Sequence, residues 1–85
     1  MTADKKIQAI CKRVAALLRQ ERERQNLSMT VLAERSGLSQ PSVSYIERGM
    51  RIPGLDTLLS IADTLGVELS EIIAMAVKPA SRGKA

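Results

Sequence analysis

The chain has 85 residues, 45% of them hydrophobic and 26% charged, with a net charge of +4, which fits one small globular domain and not a disordered segment. It holds no His, Trp or Phe, one Cys and one Tyr, so a histidine base, a His/Cys metal cage and an internal disulfide are excluded, and neither catalysis nor a metal or cofactor is expected. No apolar run nears the roughly 18 residues of a membrane span and the charged N-terminus lacks a signal peptide's apolar centre, so a cytoplasmic chain with no membrane partner is expected.

The first helix is predicted from Asp4 to about Gln25, where Ile7, Ile10, Cys11, Val14, Leu17 and Leu18 recur at the three-and-four spacing of one apolar stripe. Asn26 tolerates the left-handed conformation that ends a helix, and Ser28 is an N-cap for a second helix from Met29 to about Arg35. Gly37 can take positive φ. Ser39 caps a third helix whose first turn accepts Pro41, because the missing N–H there has no intrahelical partner, and which runs to Arg48 with Gly49 behind it. Pro53 pushes Ile52 out of helical geometry, so 50–54 reads as a loop. Leu55, Leu58, Leu59, Ala62 and Leu65 form a fourth amphipathic helix stopped by Gly66, and Glu71 to Val77 form a short fifth. The fold class is therefore all-α: a compact five-helix domain over residues 1–77, followed by a basic, disordered tail over 78–85.

Charge is unevenly spread. Residues 1–54 carry ten Lys/Arg against five Asp/Glu, residues 55–77 none against four, and residues 78–85 three against none. Such a distribution suits a molecule that turns one face to a polyanion, although the same charges also serve simply to solvate a surface.

Two short helices joined by a Gly-containing turn of three or four residues make a helix-turn-helix on geometric grounds. The segments Leu27-Ser28, Leu32-Ala33-Glu34-Arg35-Ser36-Gly37-Leu38-Ser39, Val43-Ser44, Ile46-Glu47-Arg48-Gly49, Pro53, Leu55, Thr57-Leu58-Leu59, Ala62, Leu65-Gly66-Val67 and Leu69-Ser70-Glu71-Ile72 resemble the Cro and phage-repressor (xenobiotic response element) type of helix-turn-helix family. The resemblance spans about residues 12–74. It implies a repressor-like DNA-binding domain in which helix two crosses the DNA backbone and helix three enters the major groove. The chain departs from the family pattern in three places. At helix two, Met29 stands where relatives often carry Gln and Val31 where a Glu would complete a capping box. Helix one is extended, beginning about two turns earlier than in short members, so Ile7, Ile10 and Cys11 are expected to pack on something those members lack, such as helix five or a second subunit. Pro41 stands where a polar residue sits. The phosphate contact at Met29 is then expected from backbone N–H groups and the helix dipole.

On helix three, Val43 and Ile46 fall on the core side, and Gln40, Ser44 and Tyr45 largely on the other. Gln40, Pro41, Ser44 and Tyr45 are the expected base readers. A carboxamide can bond adenine N6 and N7 together, and a phenol ring can meet a thymine methyl. Arg22, Met29, Ser39, Ser42, Arg48 and Arg51 are the expected phosphate contacts, while capping and solvation account for the serines equally well. The resemblance further implies a structural charge pair between Arg22 and Glu47 that sets the angle of the reading helix. Cys11 lies on the apolar stripe and reads as a buried, inert thiol.

Ile72, Ile73, Met75 and Ala76 make the last helix too apolar for water on every side. They either seal the core or form a dimer interface, and the dimer is the expectation, because two reading helices one DNA turn apart bind what one binds weakly. The chain thus reads as a dimeric transcriptional regulator, a repressor or autoregulating switch, whose partners are double-stranded DNA and a second copy. An antitoxin or restriction-modification controller is the alternative within the same chemistry, and a coactivator-like protein-interaction module the alternative outside it.

Overall fold

The computed structural model describes residues 2–77, whose elements are five helices: α1 Thr2–Arg24, α2 Met29–Ser36, α3 Gln40–Glu47, α4 Leu55–Leu65 and α5 Leu69–Val77. The expected tail over 78–85 lies outside the described residues. Differences from the sequence reading are at element ends. α1 begins at Thr2, and α3 stops at Glu47 with Arg48 as its cap. α5 starts two residues early, because Leu69 is buried and the Glu68 carbonyl accepts from the amides of Glu71 (3.0 Å) and Ile72 (3.2 Å).

Four helices end in the same way. A residue in the left-handed region reverses the chain: Asn26 (φ 59°), Gly37 (φ 75°), Gly49 (φ 73°) and Gly66 (φ 74°). Each reversal is locked by two amides that satisfy carbonyls of the last turn. After α3, for example, Gly49 N–H donates to the Ile46 carbonyl (3.0 Å) and Met50 N–H to that of Tyr45 (2.9 Å). An apolar residue follows each reversal. Leu27, Leu38 and Val67 pack against the core, whereas Met50 is 65% exposed.

The core is one cluster to which every helix contributes: Val14, Ala15 and Leu18 from α1, Leu32 and Ala33 from α2, Val43 and Ile46 from α3, Ile61, Ala62 and Leu65 from α4, and Leu69, Ile72 and Ala76 from α5. Full burial of a Leu or Val contributes about 1.5–3 kcal/mol, so these contacts and not local propensity hold the eight-residue helices α2 and α3. α5 lies along α1, where Arg13 Nε donates to the Ala76 carbonyl at 2.7 Å. Two of the four residues expected at a dimer interface are thereby corrected: Ile72 and Ala76 face inward and close the core of the single chain, which leaves half-buried Ile73 and exposed Met75 on the outer side. Cys11 is partly buried with a free thiol.

Candidate nucleic-acid interface

α2 and α3 are joined by Gly37, Leu38 and Ser39. Both helices start on a serine cap: Ser28 Oγ accepts from Val31 N–H at 3.1 Å, and Ser39 Oγ from Ser42 N–H at 3.2 Å. At its C-terminal end α2 is tied to α4, since Ser60 Oγ donates to the Ser36 carbonyl at 2.6 Å. Val43 and Ile46, both fully or nearly fully buried, fix the rotation of α3 about its own axis. The opposite face then carries Gln40 and Ser44, half-buried, with Pro41 and Tyr45 exposed.

The tilt of α3 is held by Arg22. Its Nε lies 2.7 Å from Glu47 Oε2 and its Nη2 2.9 Å from Glu47 Oε1, a two-pronged bond between the end of α1 and the end of α3. Nη1 donates to the Leu27 carbonyl at 2.6 Å, which also anchors the turn leading into α2. Both side chains are sequestered, 10% exposed for Arg22 and 8% for Glu47, and the Glu47 hydrogen bonds raise the guanidinium's pKa above its ordinary value. This corrects the expectation that Arg22 contacts phosphate. All three of its nitrogens are engaged inside the fold, so it shapes the interface without lying on it.

Gln40 Nε2 lies 3.9 Å from the sulfur of Met29, a weak acceptor, so the carboxamide rests against the start of α2 while its oxygen is left unengaged by this contact. The Met29 side chain itself packs against the core, and only its backbone amide, in the first turn of α2, suits an anion. Ser39, Ser42, Tyr45, Arg48 and Arg51 come together at one edge of α3. Ser39 Oγ and Ser42 Oγ are 2.9 Å apart, Arg51 Nη1 reaches Ser42 Oγ at 3.4 Å, and both Arg48 and Arg51 place their guanidinium carbons 5.7 Å from the centre of the Tyr45 ring. The one-turn spacing of Tyr45 and Arg48 was visible in the sequence, but the return of Arg51 depends on the reversal at Gly49. Lys12 adds another cation nearby, its aliphatic stem lying 3.6 Å from where a Cβ on Gly49 would be.

A separate shallow groove of about 320 Å³ runs between α1 and α5, with Leu17, Ile72 and Met75 along it and Arg24, Glu68 and Glu71 at its rim. Among the described residues no cluster of His, Cys, Asp or Glu fits a metal ion, and no helix is long and apolar enough to cross a membrane.

Comparison with known proteins points to the same motif. A family profile described as helix-turn-helix matches residues 18–72, from the second half of α1 to the start of α5. In two strains of Mycobacterium tuberculosis, a protein named as an uncharacterized HTH-type transcriptional regulator is 48% identical over 52 residues, which make up 61% of this chain and 37% of the relative. A protein of the same description from Sinorhizobium fredii is 46% identical over 52 residues, 61% of this chain and 26% of the relative. The chain thus spans well under half the length of these curated relatives. No solved structure matches it. With a profile match that covers both helices of the motif, the whole of α4 and the adjoining ends of α1 and α5, the chain belongs to the helix-turn-helix family of the Cro and phage-repressor type.

Proposed function

We propose that this chain is a sequence-specific DNA-binding transcription regulator that represses, or switches its own expression, as a homodimer on a palindromic operator. The observation that carries this reading is the outer face of α3: a polar surface of Gln40, Ser44 and Tyr45 that ends in two arginines, on a helix whose inner side is fixed by Val43, Ile46 and the Arg22–Glu47 pair. The relatives' description as transcriptional regulators supports it. In this reading α3 lies in the major groove. Gln40 pairs with an adenine edge, and Pro41, Ser44 and Tyr45 meet neighbouring bases. Arg48, Arg51, Ser39, Ser42 and the Met29 amide hold phosphates and so fix the register in which the bases are read.

Dimerisation is proposed through the apolar side chains that stay in solvent. Exposed Met75 and half-buried Ile73 remain on α5, while Met50 and Ile52 in the loop after α3 and Leu55 and Leu59 on α4 are all at least half exposed. Selection of bound duplexes from a random pool tests the proposal. It is expected to return an inverted repeat with half-sites about one helical turn apart. Gln40→Ala is expected to lose about 1–3 kcal/mol on that duplex and little on random DNA, whereas Arg51→Ala weakens both alike. A pool that emerges without any common sequence contradicts the reading.

A further inference from the structure

Tyr45 is the chain's one aromatic residue, and two cations converge on it. Arg48 lies one turn along α3. Arg51 lies beyond the helix and returns because Gly49, at φ 73°, folds the loop back, a turn closed by Met50 N–H on the carbonyl of Tyr45 itself at 2.9 Å. Arg51 is held from its other side by Ser42 Oγ, which is in turn bonded to the cap of α3, Ser39. Among the described residues neither arginine joins an ion pair, and the carboxylate nearest in sequence, Glu47, is committed to Arg22. Two like charges drawn to one ring repel each other and are left without a counterion. The ring's negative face offsets part of that repulsion, and an anion seated between them would remove the rest.

We infer that Tyr45 is a positioning residue, which holds Arg48 and Arg51, together with Ser42, as a preformed clamp for a single backbone phosphodiester. This rests on the DNA-binding reading and changes one role within it: Tyr45 acts chiefly on affinity for any sequence and not on the choice of base. Arginine side chains lose much rotamer freedom when they grip a ligand, and a ring that has already confined two of them lowers that cost. The hydroxyl is not needed for this, only the ring face.

The experiment has an arm without DNA and an arm with it. Because no other aromatic ring exists in the chain, any ring-current shift on an arginine side chain in the free protein comes from Tyr45. The δ and ε protons of Arg48 and Arg51 are expected upfield of their ordinary positions, to stay there in Tyr45→Phe and to return in Tyr45→Leu. Tyr45 is 41% exposed, so the variants keep the fold, which circular dichroism checks. In binding, Tyr45→Leu is expected to weaken selected and random duplexes by the same factor of about five, the loss of exposed cation–π contacts, and Tyr45→Phe to bind like the parent. Unshifted arginine protons in the parent overturn the clamp, as does a Tyr45→Leu variant that loses only selected-duplex affinity. Parent protein that binds no duplex even at low salt overturns the regulator reading itself, whereas failure of the clamp alone leaves parent binding intact.

Discussion

Arg22 is an arginine whose work is internal: it joins α1, the turn before α2 and the end of α3 through one guanidinium. Removing it strands a Glu47 carboxylate that is 8% exposed, and an orphaned buried charge costs about 3–5 kcal/mol, against 0–1 kcal/mol for a surface pair. Arg22→Ala is therefore expected to lower stability by that larger amount in urea denaturation. A double-mutant cycle with Glu47→Ala should show strong coupling, and zero coupling would contradict the role given to the pair. Glu21 gives a test of different character. Hydrogen bonds from Arg24 and Gln25 lower its pKa from 4.5 to about 2. A carboxylate depressed by folding stabilises the fold above its unfolded pKa, and that contribution is lost as pH falls from about 4.5 through about 2. The gap in urea midpoint between the parent and Glu21→Gln should then be present at pH 6 and close by pH 2. The gap is expected to be small, because Arg24 on the outer side of the pair is 70% exposed.

At the scale of the element, the capping and reversing residues were legible, and the inner face of α5 was not. Ser28, Ser39, Asn26, Gly37 and Gly66 act where the sequence predicts, because capping and reversal depend on chemistry within four or five residues. What the sequence does not carry is where helices meet. The bonds of Arg13 to the Ala76 carbonyl and of Gln25 to the Leu65 carbonyl exist only once α5 and α4 have docked on α1. For the same reason α5, apolar on nearly every side, shows no inner face in its sequence, and only its place on α1 sends Ile72 and Ala76 inward and Met75 out. At the candidate site, the outward Tyr45 and inward Val43 followed from helical spacing, while the Met29–Gln40 contact and the place of Arg51 required the turns between helices. Gly49 is the element-scale variant of interest. Ordinary van der Waals distance to Lys12 leaves room for a methyl group, so Gly49→Ala should cost only the left-handed backbone, about 1–2 kcal/mol. For a domain of this size that is a fall in Tm of roughly 4–16 °C, with Gly49→Asn falling less because Asn tolerates that conformation. An alanine variant as stable as the parent would contradict the conformational argument.

Across the whole molecule, the division between basic and acidic segments acquires a direction. Arg48 and Arg51 gather at the end of α3, while α4, α5 and the turn between them contribute Asp56, Asp63, Glu68 and Glu71 and no cation. A dimer would present two such basic edges to one duplex. If it forms through the exposed apolar surfaces, Leu59→Asp or Met75→Asp, whichever lies in the contact, gives a folded monomer in sedimentation with weakened duplex binding. Ile72→Asp should instead unfold the chain, because its side chain is part of the core. Parent protein that stays monomeric both free and on DNA contradicts the dimer. The central claim, that duplex DNA is the partner, is tested most directly by duplex affinity as a function of salt. Each neutralised phosphate contributes a log–log slope of about −0.9, so one clamped phosphate in each of two protomers predicts a slope of about −1.8 or steeper. Affinity that is flat in salt, or no binding at low salt, would contradict it.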